Sequence, residues 1–254
     1  MISIAECALL AACAESMYTG PGNLAPDIDS RIADRWTITS YITAKDAIFG
    51  AQAIGLGELV YYGFIAQSKA SSSCAMVIRG TESAVEWIEN IEGILIPGLQ
   101  KGMVEAGFWS IYNSMQYKIT DENNLKDGAK LTIIGHSLGA ALATYLMVDL
   151  VKLYPVNGVL FASPRAGDGS FCNMVDKTVG TGNYESYAYI RDIVPHVPIG
   201  LPFGLGFQSL SNTKWITPFT SKAKIKNNPI CNHDVLNYSA MLTGTAVTDN
   251  CIIS

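Results

Sequence analysis

Two apolar runs, residues 59–67 and 74–79, flank the polar stretch Ser68-Lys69-Ala70-Ser71-Ser72-Ser73. Short apolar runs bounded by turn residues read as strands, and this pair predicts a β-hairpin. A helical pattern begins at Ala84 and another covers 107–117. A short buried strand is expected over 130–135, a long apolar helix over 138–154, and strands over 158–162 and 184–191. Strands that alternate with helices predict an α/β fold, with a mostly parallel central sheet and helices on both faces. At the N-terminus the first fifteen residues are apolar, but they carry Glu6 and no basic cluster. A secretory signal would look different. Ser3 followed by Glu6 fits a capping box, so a native helix is expected over 3–18. No repeat, low-complexity tract or long linker divides the chain, which reads as a single domain over 1–254.

Composition narrows the function. Hydrophobic residues make up 49% and charged residues 15%, with a mean hydropathy of +0.23. Such a chain buries a large core and leaves apolar surface that can serve a function. No apolar run is long enough to span a bilayer, so the expectation is a soluble chain, cytoplasmic or exported by another route. The net charge is −5 and no basic stripe forms, which argues against nucleic acid or strongly anionic membranes as partners. The six cysteines are scattered, with no metal spacing and no call for a cofactor. A disulfide joining the two ends, such as Cys13–Cys251, is left open.

Gly135-His136-Ser137-Leu138-Gly139 matches G-x-S-x-G, between a predicted strand and a predicted helix. That context makes Ser137 a candidate nucleophile. The serine would sit on a sharp turn, and glycines two before and two after it let strand and helix press together.

A serine hydroxyl needs a neighbouring base, and the chain has three histidines. His136 adjoins Ser137, so its side chain is expected to point to the other side of the strand. His196 and His233 both follow the serine. The triad order serine, acid, histidine favours His233, because it leaves room for an intervening strand to supply the acid. His196 reads as a loop histidine near the mouth of the site. Among the acids between Ser137 and His233, Asp168 lies in a Gly-rich turn suited to a solvated side chain. Asp192 ends a strand, at the edge of the sheet where such sites gather. Asp192 is therefore expected to hold one tautomer of His233.

With these residues in place, the chain resembles the fungal-type class 3 triacylglycerol lipases, α/β-hydrolases, roughly from Leu59 to Tyr238. The similar pieces come in family order. Val77-Ile78-Arg79-Gly80-Thr81 resembles the oxyanion-loop motif. Residues 83–87 resemble the start of the lid. Ala106-Gly107-Phe108 resembles a family His-x-Gly-Phe motif, with Glu105 where the histidine usually stands. Gly135–Gly139 is the elbow, and Ser163-Pro164-Arg165-Ala166-Gly167 resembles a Pro-Arg-x-Gly turn. The segments Arg191–Pro195 and His233–Tyr238 resemble those bearing the acid and the base. The resemblance implies a Ser137–Asp192–His233 triad. It also implies an oxyanion hole from Thr81 and the backbone N–H of Leu138, where Thr81 can offer its hydroxyl as well as its N–H.

Ser83 and Glu86 form a capping box for a short helix that places Ala84, Trp87, Ile88 and Ile91 on one face and Glu82, Glu86 and Glu89 on the other. The helix is either an ordinary surface helix or a lid over about 82–97 that opens at a lipid surface. The resemblance favours the lid. The expected function is a carboxylic ester hydrolase, a triacylglycerol lipase working through an acyl-enzyme on acyl-ester lipid at a lipid–water interface. A phospholipase A1, a monoacylglycerol lipase, a feruloyl esterase, or a catalytically silent binding protein of the same fold stays open. Oligomeric state is not readable.

Overall fold

In a computed structural model the described residues are 2–18, 26–45, 59–81, 93–98, 101–119, 125, 129–200 and 206–253. The chain opens with α1 (Ile4–Glu15), then β1 (Trp36–Lys45), β2 (Leu59–Ser68) and β3 (Cys74–Ile78). Short strands β4 (Leu95–Pro97) and β5 (Met103–Glu105) precede α2 (Ala106–Ser114). Next come β6 (Leu131–His136), α3 (Leu138–Leu150), β7 (Val156–Phe161), β8 (Gly167–Asp168), α4 (Gly169–Val179) and β9 (Tyr184–Tyr189). The chain closes with β10 (Phe207–Gln208), β11 (Thr213–Ile216), α5 (Pro229–His233) and α6 (Val235–Thr243).

Among the described residues, seven strands form one sheet in the order β1-β2-β3-β6-β7-β9-β11. The first two pairings are antiparallel, so β2 and β3 form the expected hairpin. Every pairing from β3 to β11 is parallel. A second, smaller sheet has the order β10-β8-β5-β4. The end of the segment expected to form a lid therefore holds a strand, with Leu95 paired to Glu105. The first part of that segment, including Trp87, Ile88 and Ile91, lies outside the described residues.

The sheet is apolar on both faces, as a sheet covered on both sides must be. Alternation on β3 sends Cys74, Met76 and Ile78 into one core and Ala75 and Val77 into the other. The first core lies against α2, α3 and α4, and the second against α1 and α6. Helix α3 is buried on nearly every side, from Leu138 to Val148, which explains its run of apolar residues.

Helix α1 is part of the second core, through Cys7, Leu10, Ala11 and Ala14. The Ser3 hydroxyl accepts from the Glu6 N–H at 3.3 Å. Glu6 does not return the bond to Ser3; its carboxylate accepts from the Trp36 indole at 2.7 Å. The capping box is thus half formed, because a buried indole N–H needs that acceptor more. Among the described residues, no helix is long and apolar enough to cross a membrane.

The open pairing of Cys13 with Cys251 is corrected by the structure. Cys251 bonds Cys231, twenty residues away, while Cys13 is a buried free thiol that accepts from the Asp29 N–H. Cys13 is held in α1, where the core fixes it, and α5 brings Cys231 to the C-terminal segment instead. Cys7, Cys74 and Cys172 are also free and buried, and burial pushes the Cys74 and Cys172 thiols up to about 12. Thiol titration in denaturant is expected to return four reactive groups before reduction and six after. Six before reduction would contradict the Cys231–Cys251 bond.

Candidate active site

Ser137 stands at the end of β6 and opens α3, with φ 54° and ψ −132°. A non-glycine residue in this region is strained, and the strain must be held by its surroundings. Here it is held by close backbone approach. A Cβ on Gly135 would lie 2.4 Å from the Gly139 carbonyl oxygen, and one on Gly139 would lie 2.3 Å from that of Ile78. The first glycine thus lets strand and helix meet, as the motif predicts. The second presses the helix against the end of β3, a contact that the motif alone does not reveal. The Ser137 N–H is fixed by the Phe161 carbonyl at 3.0 Å.

Three elements converge on the serine. His233, the last residue of α5, sets its Nε2 2.9 Å from Ser137 Oγ and its Nδ1 2.8 Å from Asp192 Oδ2. A carboxylate only accepts, so Nδ1 carries a proton and Nε2 is free to receive one from the serine. Asp192 lies in the turn after β9 and is almost fully buried. Its two oxygens also accept from the Val194 N–H at 3.0 Å and the Tyr238 hydroxyl at 2.8 Å. Tyr238 in turn accepts from the Tyr189 N–H at 2.9 Å, which ties α6 to β9.

The histidine loop is pinned on several sides. Asn228 caps α5 by accepting from the Cys231 N–H at 2.8 Å, and Asp234 caps α6 through the Asn237 N–H at 2.9 Å. Asn232 donates to the Arg191 carbonyl at 3.0 Å, joining the loops that carry His233 and Asp192. The Cys231–Cys251 disulfide fastens the same helix to the chain's last residues.

The loop after β3 abuts the elbow. A Cβ on Gly80 would meet the Ser137 Cβ at 2.9 Å, so the residue before Thr81 packs directly against the serine. Leu138 is the first residue of α3, where the N–H has no preceding carbonyl in the helix to bond. Leu138 follows Ser137 directly, and Thr81 follows the glycine that touches it.

Other sequence expectations fare differently. His136 follows the alternation of β6 onto the same face as Ile134, where its side chain meets Glu15 and the His233 carbonyl, and its ring lies 4.7 Å from that of His233. His196 packs instead on the Trp215 ring at 4.9 Å. Asp168 is not a solvated turn residue: it caps α4 and accepts from Phe171 and Met103. Glu105 caps α2 through the Phe108 N–H at 2.8 Å. Sequence reasoning missed the part played by Tyr238, Asn232 and Glu15. Nothing local marks them, because each meets the site across 40 residues or more.

Compared with known proteins, residues 75–201 match the family model for lipase (class 3). The chain belongs to the class 3 lipase family. It is 32% identical over 165 residues to a secreted mono- and diacylglycerol lipase A of Penicillium cyclopium, covering 61% of this chain and 52% of that protein. It is 26% identical over 247 residues to a phospholipase A1-II 3 of Oryza sativa subsp. japonica, covering 74% of this chain and 58% of that protein. The chain thus spans about half the length of these curated relatives. Among solved structures, the Rhizomucor miehei lipase propeptide complex aligns with a TM-score of 0.65 and 21% identity, over 94% of this chain and 77% of that one. The M37 lipase gives 0.62 and 15%, over 96% and 92%. At these identities the likeness is one of fold, the α/β-hydrolase fold.

Tyr238→Phe removes one donor to Asp192 and leaves the buried Tyr189 N–H without its acceptor. Leaving such a group unsatisfied costs about 1–3 kcal/mol. The variant is expected to melt at a lower temperature and to lose kcat on a soluble ester. Unchanged melting and kcat would contradict the account of Tyr238.

Proposed function

We propose that the protein is a carboxylic ester hydrolase acting on acyl-ester lipids, with Ser137 as nucleophile, His233 as general base and Asp192 as its partner. The observation that carries this reading is the unbroken hydrogen-bond chain from Ser137 Oγ through His233 to Asp192, at the strained turn between β6 and α3. In the reaction Ser137 Oγ attacks the ester carbonyl carbon while His233 Nε2 takes the hydroxyl proton. The oxyanion that forms is held by Thr81 and the Leu138 N–H. His233 then gives its proton to the departing alcohol oxygen, and an acyl-enzyme remains on Ser137. Water, deprotonated by His233, cleaves the acyl bond, and the proton returns to the serine. Asp192 stays ionised throughout and stabilises the imidazolium. No metal or cofactor enters these steps.

Membership in the class 3 lipase family supports lipid esters as the substrate class, and a triacylglycerol is the substrate we favour. The rice relative, named a phospholipase A1, gives a specific ground for phospholipid as the second reading. We take residues 1–254 as one hydrolase domain in which a lid over about 82–97 carries Trp87, Ile88 and Ile91 toward lipid. The Cys231–Cys251 disulfide and the secreted relatives favour an oxidising compartment outside the cytoplasm.

A fluorophosphonate probe is expected to label the wild type and not Ser137→Ala. An unlabelled wild type would favour a silent binding protein. A series of nitrophenyl esters, triolein, phosphatidylcholine and methyl ferulate then reads the substrate, with triolein expected to exceed the others; preference for phosphatidylcholine would select the phospholipase. For the lid, Trp87→Ala is expected to reduce hydrolysis of emulsified lipid more than that of a soluble short-chain ester. Equal losses on both would count against a lid.

A further inference from the structure

We propose that Glu15 and His136 form a part-buried positioning pair that holds the His233 loop and the oxyanion loop in register with Ser137. The inference rests on the triad reading above and assigns a task to two residues outside it.

The geometry is a single connected unit. Glu15, at the end of α1, accepts from the Gly80 N–H at 2.8 Å through Oε1. The same oxygen lies 3.1 Å from His136 Nδ1. On the far side of that ring, His136 Nε2 lies 2.8 Å from the His233 carbonyl oxygen. One carboxylate therefore fixes the residue before Thr81, and through one imidazole it fixes the backbone of the residue that carries the base. The His136 ring also lies against the His233 ring, with centroids 4.7 Å apart. Both pieces that must meet Ser137 are thus tied to a helix far away in the chain.

The hydrogen bonds dictate where the protons are. A carbonyl oxygen only accepts, so His136 Nε2 carries a hydrogen. An ionised Glu15 only accepts too, so Nδ1 carries one as well, and the ring is an imidazolium paired with a carboxylate. Burial alone would push the His136 imidazole down, but the Glu15 carboxylate, then the Asp192 charge and the His233 carbonyl, outweigh it and hold it above the ordinary histidine range. The charged and titratable groups around the two rings are Glu15 from α1, Asp192 after β9, and Tyr238 from α6 through its bond to Asp192. Arg79, at the end of β3, turns its guanidinium to the Tyr61 and Gly80 carbonyls and the Tyr62 ring. The two rings are tilted against each other at 4.7 Å, so a charge on His136 acts at short range on the ring that carries out the proton transfer.

The test compares wild type, Glu15→Gln, His136→Gln and the double variant on a soluble nitrophenyl ester across pH, with melting curves to show folding. Glu15→Gln keeps an acceptor for Gly80 but no longer holds a charge on His136. His136→Gln removes the cation and leaves the carboxylate unmatched. Both are expected to lower kcat about tenfold or more with little change in KM, since they displace the base and not the substrate. Both should move the acid limb of kcat/KM to higher pH, His136→Gln further than Glu15→Gln. The double variant should fall well short of the product of the single losses, as residues acting as one unit do. If His136→Gln does not fold, Glu15→Gln carries the comparison alone. Folded variants that keep the wild-type kcat and pH profile would overturn the proposal and leave the triad reading standing. A wild type that hydrolyses no ester would overturn both.

Discussion

The backbone contact between the end of β6 and the start of α3 is the constraint from which the site follows. Ser137 can hold φ 54° only because Gly135 and Gly139 let strand, helix and the end of β3 approach more closely than any side chain allows. The strain aims the hydroxyl off the edge of the sheet, at the start of a helix whose first N–H groups have no internal partner. The apolar sheet and the fully buried α3 keep that turn from relaxing. Packing energy from the two cores is what sustains the local strain.

The proposed base and acid are held by different means. Asp192 depends on β9, because the turn after that strand points its carboxylate along the edge toward the serine. Its donors from Val194 and Tyr238 fix the carboxylate in place, so that it holds the orientation of His233. His233 ends a short helix of five residues. It is positioned by the Asn228 and Asp234 caps, by the Asn232 bond to the Asp192 loop, and by the Cys231–Cys251 disulfide. A site assembled from three chain segments thus needs several long-range ties, and α1 supplies another through Glu15.

How much of this was legible in the sequence follows the range of each interaction. The hairpin, the parallel strands and α3 could be read from local periodicity, because burial on both faces writes continuous apolar runs. Ser137 could be read because its glycines are close in sequence, and the scarcity of histidines pointed to His233. Tyr238, Asn232 and Glu15 could not be read, since polar residues in helices look alike until the fold shows what they face. Strand alternation carries His136 onto the α1 face, but its meeting with Glu15 there is set by the fold. The pairing of Cys251 likewise depends on where α5 brings Cys231, which spacing does not determine.

The proposed chemistry passes through a covalent ester on Ser137. The most direct measurement is mass spectrometry of the protein quenched in acid during turnover of a slowly deacylating nitrophenyl ester, followed by peptide mapping. One acyl group per chain on the peptide containing Ser137 is the result the account predicts. An acyl group on another residue, or sustained hydrolysis with no adduct on that peptide in quench-trapped samples, would contradict it.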